Sequence, residues 1–89
     1  PAKPVISVVI PAYNEERIIA TCLQHLNAQT LAQPYEIIVA NNNSKDRTGE
    51  IAAERGAKVL LVTEKGYVHA AIAGIQAAQG EIIAMTDAD

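Results

Sequence analysis

The chain has 89 residues, of which 49% are hydrophobic, and a formal net charge of −3. A chain of this length forms at most one domain, and no apolar run approaches the ~20 residues of a membrane span. The negative charge, with lysine and arginine scattered along the sequence, argues against a nucleic-acid-binding surface. The single cysteine, Cys22, excludes an internal disulfide, so we expect a cytoplasmic protein.

The first predicted strand covers residues 5–10, an apolar run rich in β-branched side chains that ends at Pro11. Such a continuous run is typical of a strand buried on both faces of a sheet. Asn14 can cap a helix that begins at Glu15, where acidic side chains favour the positive end of the helix dipole. The apolar stripe of this first helix is predicted to comprise Ile18, Ile19, Cys22, Leu23 and Leu26.

The second strand is predicted at residues 36–40, followed by a turn that contains three consecutive asparagines, residues 41–43. Asparagine is common in turns because its side chain bonds to nearby backbone and it tolerates left-handed angles. A second helix is predicted to be capped by Ser44 or Asp46 and to stop at Gly56.

A third strand at residues 58–62, an alanine-rich helix at 67–78 and a fourth strand at 81–86 complete the pattern. The β-α-β-α-β-α-β alternation favours right-handed crossovers between parallel strands. The sequence therefore predicts an α/β fold of the Rossmann-like kind, with three α/β/α layers and a parallel four-stranded sheet.

Polar residues follow each predicted strand at its carboxyl end; they are residues 11–15, 41–42, 63–66 and 87–89. In open parallel sheets, ligands bind beyond the carboxyl ends of the strands, at the point where the strand order reverses. We therefore expect all four polar clusters to meet at one edge of the sheet and to form a ligand site there.

The last cluster contains Asp87 and Asp89, two residues apart. In an extended segment such residues point to the same side, and carboxylates are ligands that magnesium, manganese or calcium prefers. An isolated D-x-D is more often a solvated turn, so the position directly after a strand is what favours a metal site. We also expect this chain to be the front part of a longer protein.

Four segments together resemble the inverting glycosyltransferases of family 2. Residues 8–16 (VVIPAYNEE) resemble the opening P-x-Y-N-E segment of that family, and residues 38–48 (IVANNNSKDRT) are similar to its V-V-D-D-G-S-T-D-G-T turn. The family's third helix and D-x-D are matched by Gly66, Ala70, Gly74, residues 78–83 and Asp87-Ala88-Asp89. The resemblance covers essentially the whole chain, in order.

The resemblance implies that residues 1–89 are the nucleotide-sugar-binding half of a truncated GT-A fold with strand order 3-2-1-4. Family members transfer a sugar from a nucleotide-diphosphate donor with inversion, using a magnesium or manganese ion. The acceptor site and the catalytic base would lie in a second half, so we expect the isolated chain to be inactive and to contribute no catalytic residue. Membrane association of the parent enzyme stays open.

Carried over by position, the resemblance also assigns site residues. Apart from the resemblance, the positive charges of Lys65 and Arg47 could attract phosphates, although surface cations are more often only solvated. Glu15 either accepts hydrogen bonds from ribose or neutralises the helix N-terminus. The implied roles are base and ribose lining for Pro11, Ala12, Tyr13 and Glu15, a base-edge contact for Asn41, ribose and metal for Asp87, and metal ligation for Asp89.

The chain departs from the family pattern where the family has a D-D pair, because Asn41 and Asn42 stand there. An aspartate only accepts hydrogen bonds, whereas an asparagine also donates, so the base is left open. Asn43 replaces a glycine, which asparagine can do at left-handed angles. Tyr67 and Ile72 replace a common lysine and a common asparagine of the third helix.

The sequence also has to be compatible with, or exclude, other classes of protein. A non-catalytic α/β assembly module would use the open edge of the fourth strand to form a homodimer. A nucleotidyltransferase-like domain usually has a glycine-rich basic loop after strand one, and residues 11–15 are acidic without glycine. A dinucleotide-binding domain fails likewise, because G-x-G-x-x-G is absent there.

Overall fold

The computed structural model describes residues 3–28 and 33–86. Within these ranges strands and helices alternate, as β1 (Ile6–Ala12), α1 (Glu16–Ala28), β2 (Tyr35–Asn42), α2 (Thr48–Glu54), β3 (Lys58–Val62), α3 (Tyr67–Ala77) and β4 (Ile82–Met85). Every predicted element is present. No helix in the described ranges has both the length and the apolar character needed to cross a bilayer.

The strands form one sheet in the order β3-β2-β1-β4, and all three neighbouring pairs are parallel. On one face of the sheet, Ile10 and Val39 pack in a core with the α1 residues Ile19 and Leu23. On the other face α3 lies against Val9, which is fully buried. The predicted three-layer α/β/α fold with strand order 3-2-1-4 is therefore confirmed.

The stripe of α1 is only partly as predicted. Ile19 and Leu23 are fully buried, and Cys22 and Leu26 pack on the core from partly buried positions. Ile18 is half-buried and lies outside this core cluster. Burial raises the pKa of the Cys22 thiol, as expected for a packing residue.

The central strand β1 continues through Pro11 to Ala12, two residues beyond the predicted end. The N–H of Thr86 donates to the carbonyl of Val9 at 3.1 Å, so the backbone of Val9 points towards β4. Pro11, two residues on, points the same way but beyond Met85, the last strand residue of β4. A proline, which has no N–H to donate, is tolerated here because the pairing of β1 with β4 has already ended.

The cap predicted for α1 was wrong. Asn14 has φ +52°, and its Oδ1 accepts from the Lys45 N–H at 2.8 Å, outside α1. The N–H groups at the start of α1 donate instead to side chains around the start of α2. The Glu15 N–H, directly before α1, donates to Thr48 Oγ1 at 2.8 Å, and the Glu16 N–H donates to Asp46 Oδ2 at 3.2 Å.

Neither residue predicted to cap α2 is its N-cap, because that position is Arg47, which makes no side-chain cap hydrogen bond. Asp46, directly before it, accepts from the Thr48 N–H through Oδ1 at 2.9 Å. Ser44 Oγ accepts from the Asn14 N–H at 2.9 Å instead. Burial raises the pKa of Asp46, but hydrogen bonds from Thr48 and Glu16 outweigh it and lower the pKa overall. The β1–α1 and β2–α2 loops are thus joined, which fixes two of the loops that end at the predicted site. Gly56, at φ +89°, follows α2 as predicted.

Candidate functional site

A cleft of about 440 Å³ opens at the carboxyl ends of β1 and β2, on the face of the sheet that α3 covers. Three segments form its walls: the end of β1 with its following loop, the end of β2 with its loop, and the start of α3. The lining residues are Pro11, Ala12, Tyr13, Glu15, Asn42, Asn43, Lys45, Lys65, Gly66, Tyr67 and Ala70.

The first wall contains four of the predicted site residues. Pro11 and Ala12 are buried at the end of β1 and both border the cleft. The Ala12 side chain packs in the core on the α1 face, so Pro11 supplies the apolar floor on the cleft face. Tyr13 is 56% exposed at the mouth, where an aromatic ring is free to pack on a planar ligand. Glu15 is half-buried beside it, at the point where α1 begins.

Asn41, the fifth predicted residue, lies on the other face of the sheet. Strand β2 continues through Asn42, and side chains alternate along a strand, so Asn41 and Asn42 point to opposite faces. Asn41 lies over Gly49 of α2, where an added Cβ would be 2.6 Å from the Asn41 Nδ2. Its buried Oδ1 has no hydrogen-bond partner among the described residues. Asn42, which had no assigned role, lines the cleft instead.

The third wall begins in the loop between β3 and α3. Lys65 lines the cleft, as do Gly66, Tyr67 and Ala70 from the start of α3. From the sequence, Tyr67 is only a departure from the family pattern, and no pattern assigns a site role to Asn43 or Lys45. The rule that loops at the carboxyl ends of parallel strands share one edge already contained the signal for them.

The electrostatics of the cleft are mixed, because Lys45 and Lys65 line it together with Glu15. Two ammonium groups in a chain of net charge −3 favour an anionic ligand locally. Arg47, the other predicted phosphate contact, does not line the cleft. Its guanidinium lies 2.7 Å from Glu50, which raises the pKa of Arg47 further.

The predicted metal ligands, Asp87 and Asp89, lie outside the described residues. Across residues 3–28 and 33–86 there is no group of three His, Cys, Asp or Glu side chains that could hold a metal ion. The described chain reaches Thr86, which donates to Val9 at the cleft edge of the sheet. The carboxylates of the D-x-D are the donor type that suits a hard divalent cation.

Comparison with known proteins gives a consistent result. Residues 7–89 match the family described as Glycosyl transferase family 2. The chain is 44% identical over 87 residues to the low-salt glycan biosynthesis hexosyltransferase Agl6 of Haloferax volcanii, covering 97% of this chain and 21% of Agl6. It is 38% identical to the uncharacterized glycosyltransferase EpsJ of Bacillus subtilis, covering 97% of this chain and 26% of EpsJ.

Solved structures agree. Glucosyl-3-phosphoglycerate synthase from Mycobacterium tuberculosis, in complex with Mn²⁺, UDP and phosphoglyceric acid, superposes with a TM-score of 0.84 at 29% identity, covering 97% of this chain and 33% of the synthase. The mannosyltransferase PcManGT from Pyrobaculum calidifontis, in complex with GDP-Man and Mn²⁺, superposes with a TM-score of 0.81 at 28% identity. The match covers 99% of this chain and 28% of the mannosyltransferase. The chain thus spans between about a fifth and a third of the length of these relatives.

Proposed function

This chain belongs to glycosyl transferase family 2, and from that membership and the cleft we propose that it binds the nucleotide-diphosphate-sugar donor of an inverting glycosyltransferase. The observation that carries the proposal is the meeting of Tyr13, Lys45 and Lys65 in one cleft at the carboxyl edge of a GT-A sheet. Residues 1–89 form the donor-binding half, and the acceptor site and catalytic base belong to a second half of the parent enzyme.

Each wall of the cleft has a chemical part in this proposal. The ring of Tyr13 packs on the nucleobase, above the apolar floor at Pro11. Glu15 accepts hydrogen bonds from the ribose hydroxyls, and Lys45 and Lys65 attract the diphosphate. Asn42, rather than Asn41, lies on the wall that faces the base, because only Asn42 lines the cleft.

A divalent cation, magnesium or manganese, completes the proposed site. Asp87 and Asp89 would hold it, since they come shortly after β4 in the sequence and carry hard oxygen ligands. When bound, such an ion neutralises charge on the diphosphate and makes it a better leaving group. The relatives solved with UDP or GDP-Man and Mn²⁺ support this part of the proposal.

Calorimetric titration of UDP and GDP into the 89-residue chain tests the proposal. We expect saturable binding that MnCl₂ strengthens by about tenfold or more, and about tenfold weaker binding after Tyr13→Ala, because a stacked base loses about 1–3 kcal/mol. Asp89→Asn should abolish the manganese effect, and Asp46→Asn, which lies outside the cleft, should leave that effect intact.

Absence of saturable binding of both nucleotides, with and without manganese, would refute the donor-binding function. Binding that manganese does not strengthen would refute the metal part alone.

A second candidate function, an assembly module, is favoured by the exposure of β4. This strand pairs with β1 within the described chain, and Ile82, Ile83 and Met85 are 56%, 41% and 40% exposed. Apolar side chains exposed on both faces of an edge strand invite pairing with a second copy.

We expect a concentration-dependent dimer in sedimentation-equilibrium runs, weakened about tenfold or more by Ile82→Lys, since charged edge residues disfavour strand pairing. Leu61→Lys is the matched control, because Leu61 is 79% exposed but lies on the opposite edge strand β3. A monomer at every concentration, or equal weakening by both variants, would count against assembly through β4.

A further inference from the structure

The side chain of Asn42 makes three hydrogen bonds to the backbone of the loop that precedes α3. Its Nδ2 donates to the carbonyl of Glu64 at 2.7 Å and to the carbonyl of Gly66 at 3.3 Å. Its Oδ1 accepts from the Gly66 N–H at 3.2 Å. These partners lie 22 and 24 residues away in sequence, so the contact joins two separate walls of the cleft.

The partners permit only one orientation of this amide. Two carbonyl oxygens surround Nδ2, so both amide protons have acceptors, and the Gly66 N–H requires an oxygen opposite it. Asn42 is 7% exposed, which makes an unpaired partner in this contact costly. A carboxylate of the same shape cannot donate, and would place negative charge against two carbonyl oxygens.

The loop that Asn42 contacts also contains an unusual backbone conformation. Gly66 has φ +119°, an angle that side-chain-bearing residues rarely adopt, and its carbonyl also accepts from the Ala70 N–H in the first turn of α3 at 3.3 Å. Lys65 lies between the two clamped carbonyls in sequence. The contact therefore fixes both the backbone that carries Lys65 and the start of α3.

We propose that Asn42 is a positioning residue that clamps the 64–66 loop and thereby holds Lys65 and Tyr67 in the wall of the cleft. In this chain an asparagine stands at a carboxylate position of the family pattern because the loop requires a donor there. The clamp itself is independent of the ligand, and its effect on binding rests on the proposed donor-binding function.

The substitution Asn42→Asp tests the clamp, because it keeps the shape and the acceptor but removes both donors. At about pH 8 we expect displaced backbone N–H resonances of Lys65 and Gly66, and UDP binding about tenfold weaker than wild type. At about pH 5 a protonated carboxyl regains one donor. The displacement of the Lys65 and Gly66 resonances should then become smaller, and UDP binding should return to within about threefold of wild type at that pH.

Asn27→Asp is the matched control. Asn27 lies outside the cleft, and its Nδ2 donates to the Arg55 carbonyl at 3.4 Å through an exposed bond, so the same chemical change occurs far from the clamp. We expect less than about a threefold change at either pH. Wild type at each pH is the reference, since the titratable groups on the surrounding elements are shared; they are Tyr13, Glu15, Lys45, Glu64, Lys65, Tyr67 and His69.

A second measurement needs neither a variant nor a nucleotide. In wild type, the side-chain amide protons of Asn42 should exchange with water about tenfold more slowly than those of Asn27, whose single contact to the Arg55 carbonyl is exposed at 3.4 Å. Equal exchange rates, or unchanged Lys65 and Gly66 resonances in Asn42→Asp at pH 8, would overturn the clamp. Failure of wild type to bind UDP or GDP would instead refute the proposed function. The exchange rates of the Asn42 amide protons and the Lys65 and Gly66 resonances would still decide whether the clamp exists.

Discussion

Replacing Gly74 with alanine should lower the free energy of unfolding by about 2–3 kcal/mol and open the cleft, because α3 cannot then approach the sheet. A Cβ at position 74 would lie 2.3 Å from Cγ1 of Val9, far inside van der Waals contact. Val9 is fully buried in the central strand, so it has no free space to move into. Displacement of α3 also displaces Tyr67 and Ala70 from the cleft wall.

The sign of this effect separates packing from helix propensity. A glycine-to-alanine change inside a helix ordinarily stabilises it by about 0.5–1 kcal/mol, so a loss of stability isolates the clash with Val9. Val9→Ala removes the clashing atom, and the double variant should be more stable than the sum of the two single losses predicts, by about 1 kcal/mol or more. Urea unfolding of the four proteins measures this coupling. A Gly74→Ala protein as stable as wild type would refute the close packing of α3.

The sequence was sufficient for the elements, the strand order and the edge at which the cleft forms. Hydrophobic runs and helix stop signals are read from residues that are close together in the sequence, and the family resemblance is read from matching motifs. Gly56 illustrates this, since its positive φ and its place after α2 are readable from the local pattern alone. The same holds for the first wall of the cleft, Pro11 to Glu15, whose placement follows from the end of one strand.

The sequence-based predictions were wrong where the position of a side chain depends on the alternation of faces along a strand, or on partners distant in sequence. The predicted β2 stopped at residue 40, so the alternation that separates Asn41 from Asn42 was not applied to this pair. Asparagine is a residue type that often caps helices, but the N–H groups of Glu15 and Glu16 at the start of α1 donate instead to Thr48 and Asp46, which lie 33 and 30 residues further along the chain. No local rule contains that pairing. The metal-ligand prediction for Asp87 and Asp89 lies outside the described residues and stays a prediction.

Replacing Glu36 with alanine should cost about 2–4 kcal/mol at neutral pH, because it removes the acceptor at the centre of a network opposite the cleft. Glu36 Oε2 accepts from Ser7 Oγ at 2.6 Å and from the Gln79 N–H at 2.8 Å, and Oε1 accepts from Lys58 at 3.0 Å. Ser7 is fully buried and accepts in turn from the Gly80 N–H at 2.8 Å. The network joins three strands to the loop before β4.

The pH dependence of this loss follows from the pKa of Glu36. Burial raises that pKa, but hydrogen bonds from Ser7, Gln79 and Lys58 outweigh it, so the folded-state pKa lies below the ordinary value. The carboxylate form therefore stabilises the folded state above the unfolded-state pKa of about 4.3, and the stabilisation is lost as pH falls through the folded-state pKa.

Unfolding free energies measured from about pH 7 down to about pH 3 should fall more steeply for wild type than for Glu36→Gln. Glu54→Ala, which removes an exposed carboxylate 3.7 Å from Arg47, should cost less than about 0.5 kcal/mol and keep the wild-type slope. Parallel pH profiles for wild type and Glu36→Gln would mean that the Glu36 carboxylate does not stabilise the junction of β1, β2 and β3 with the loop before β4.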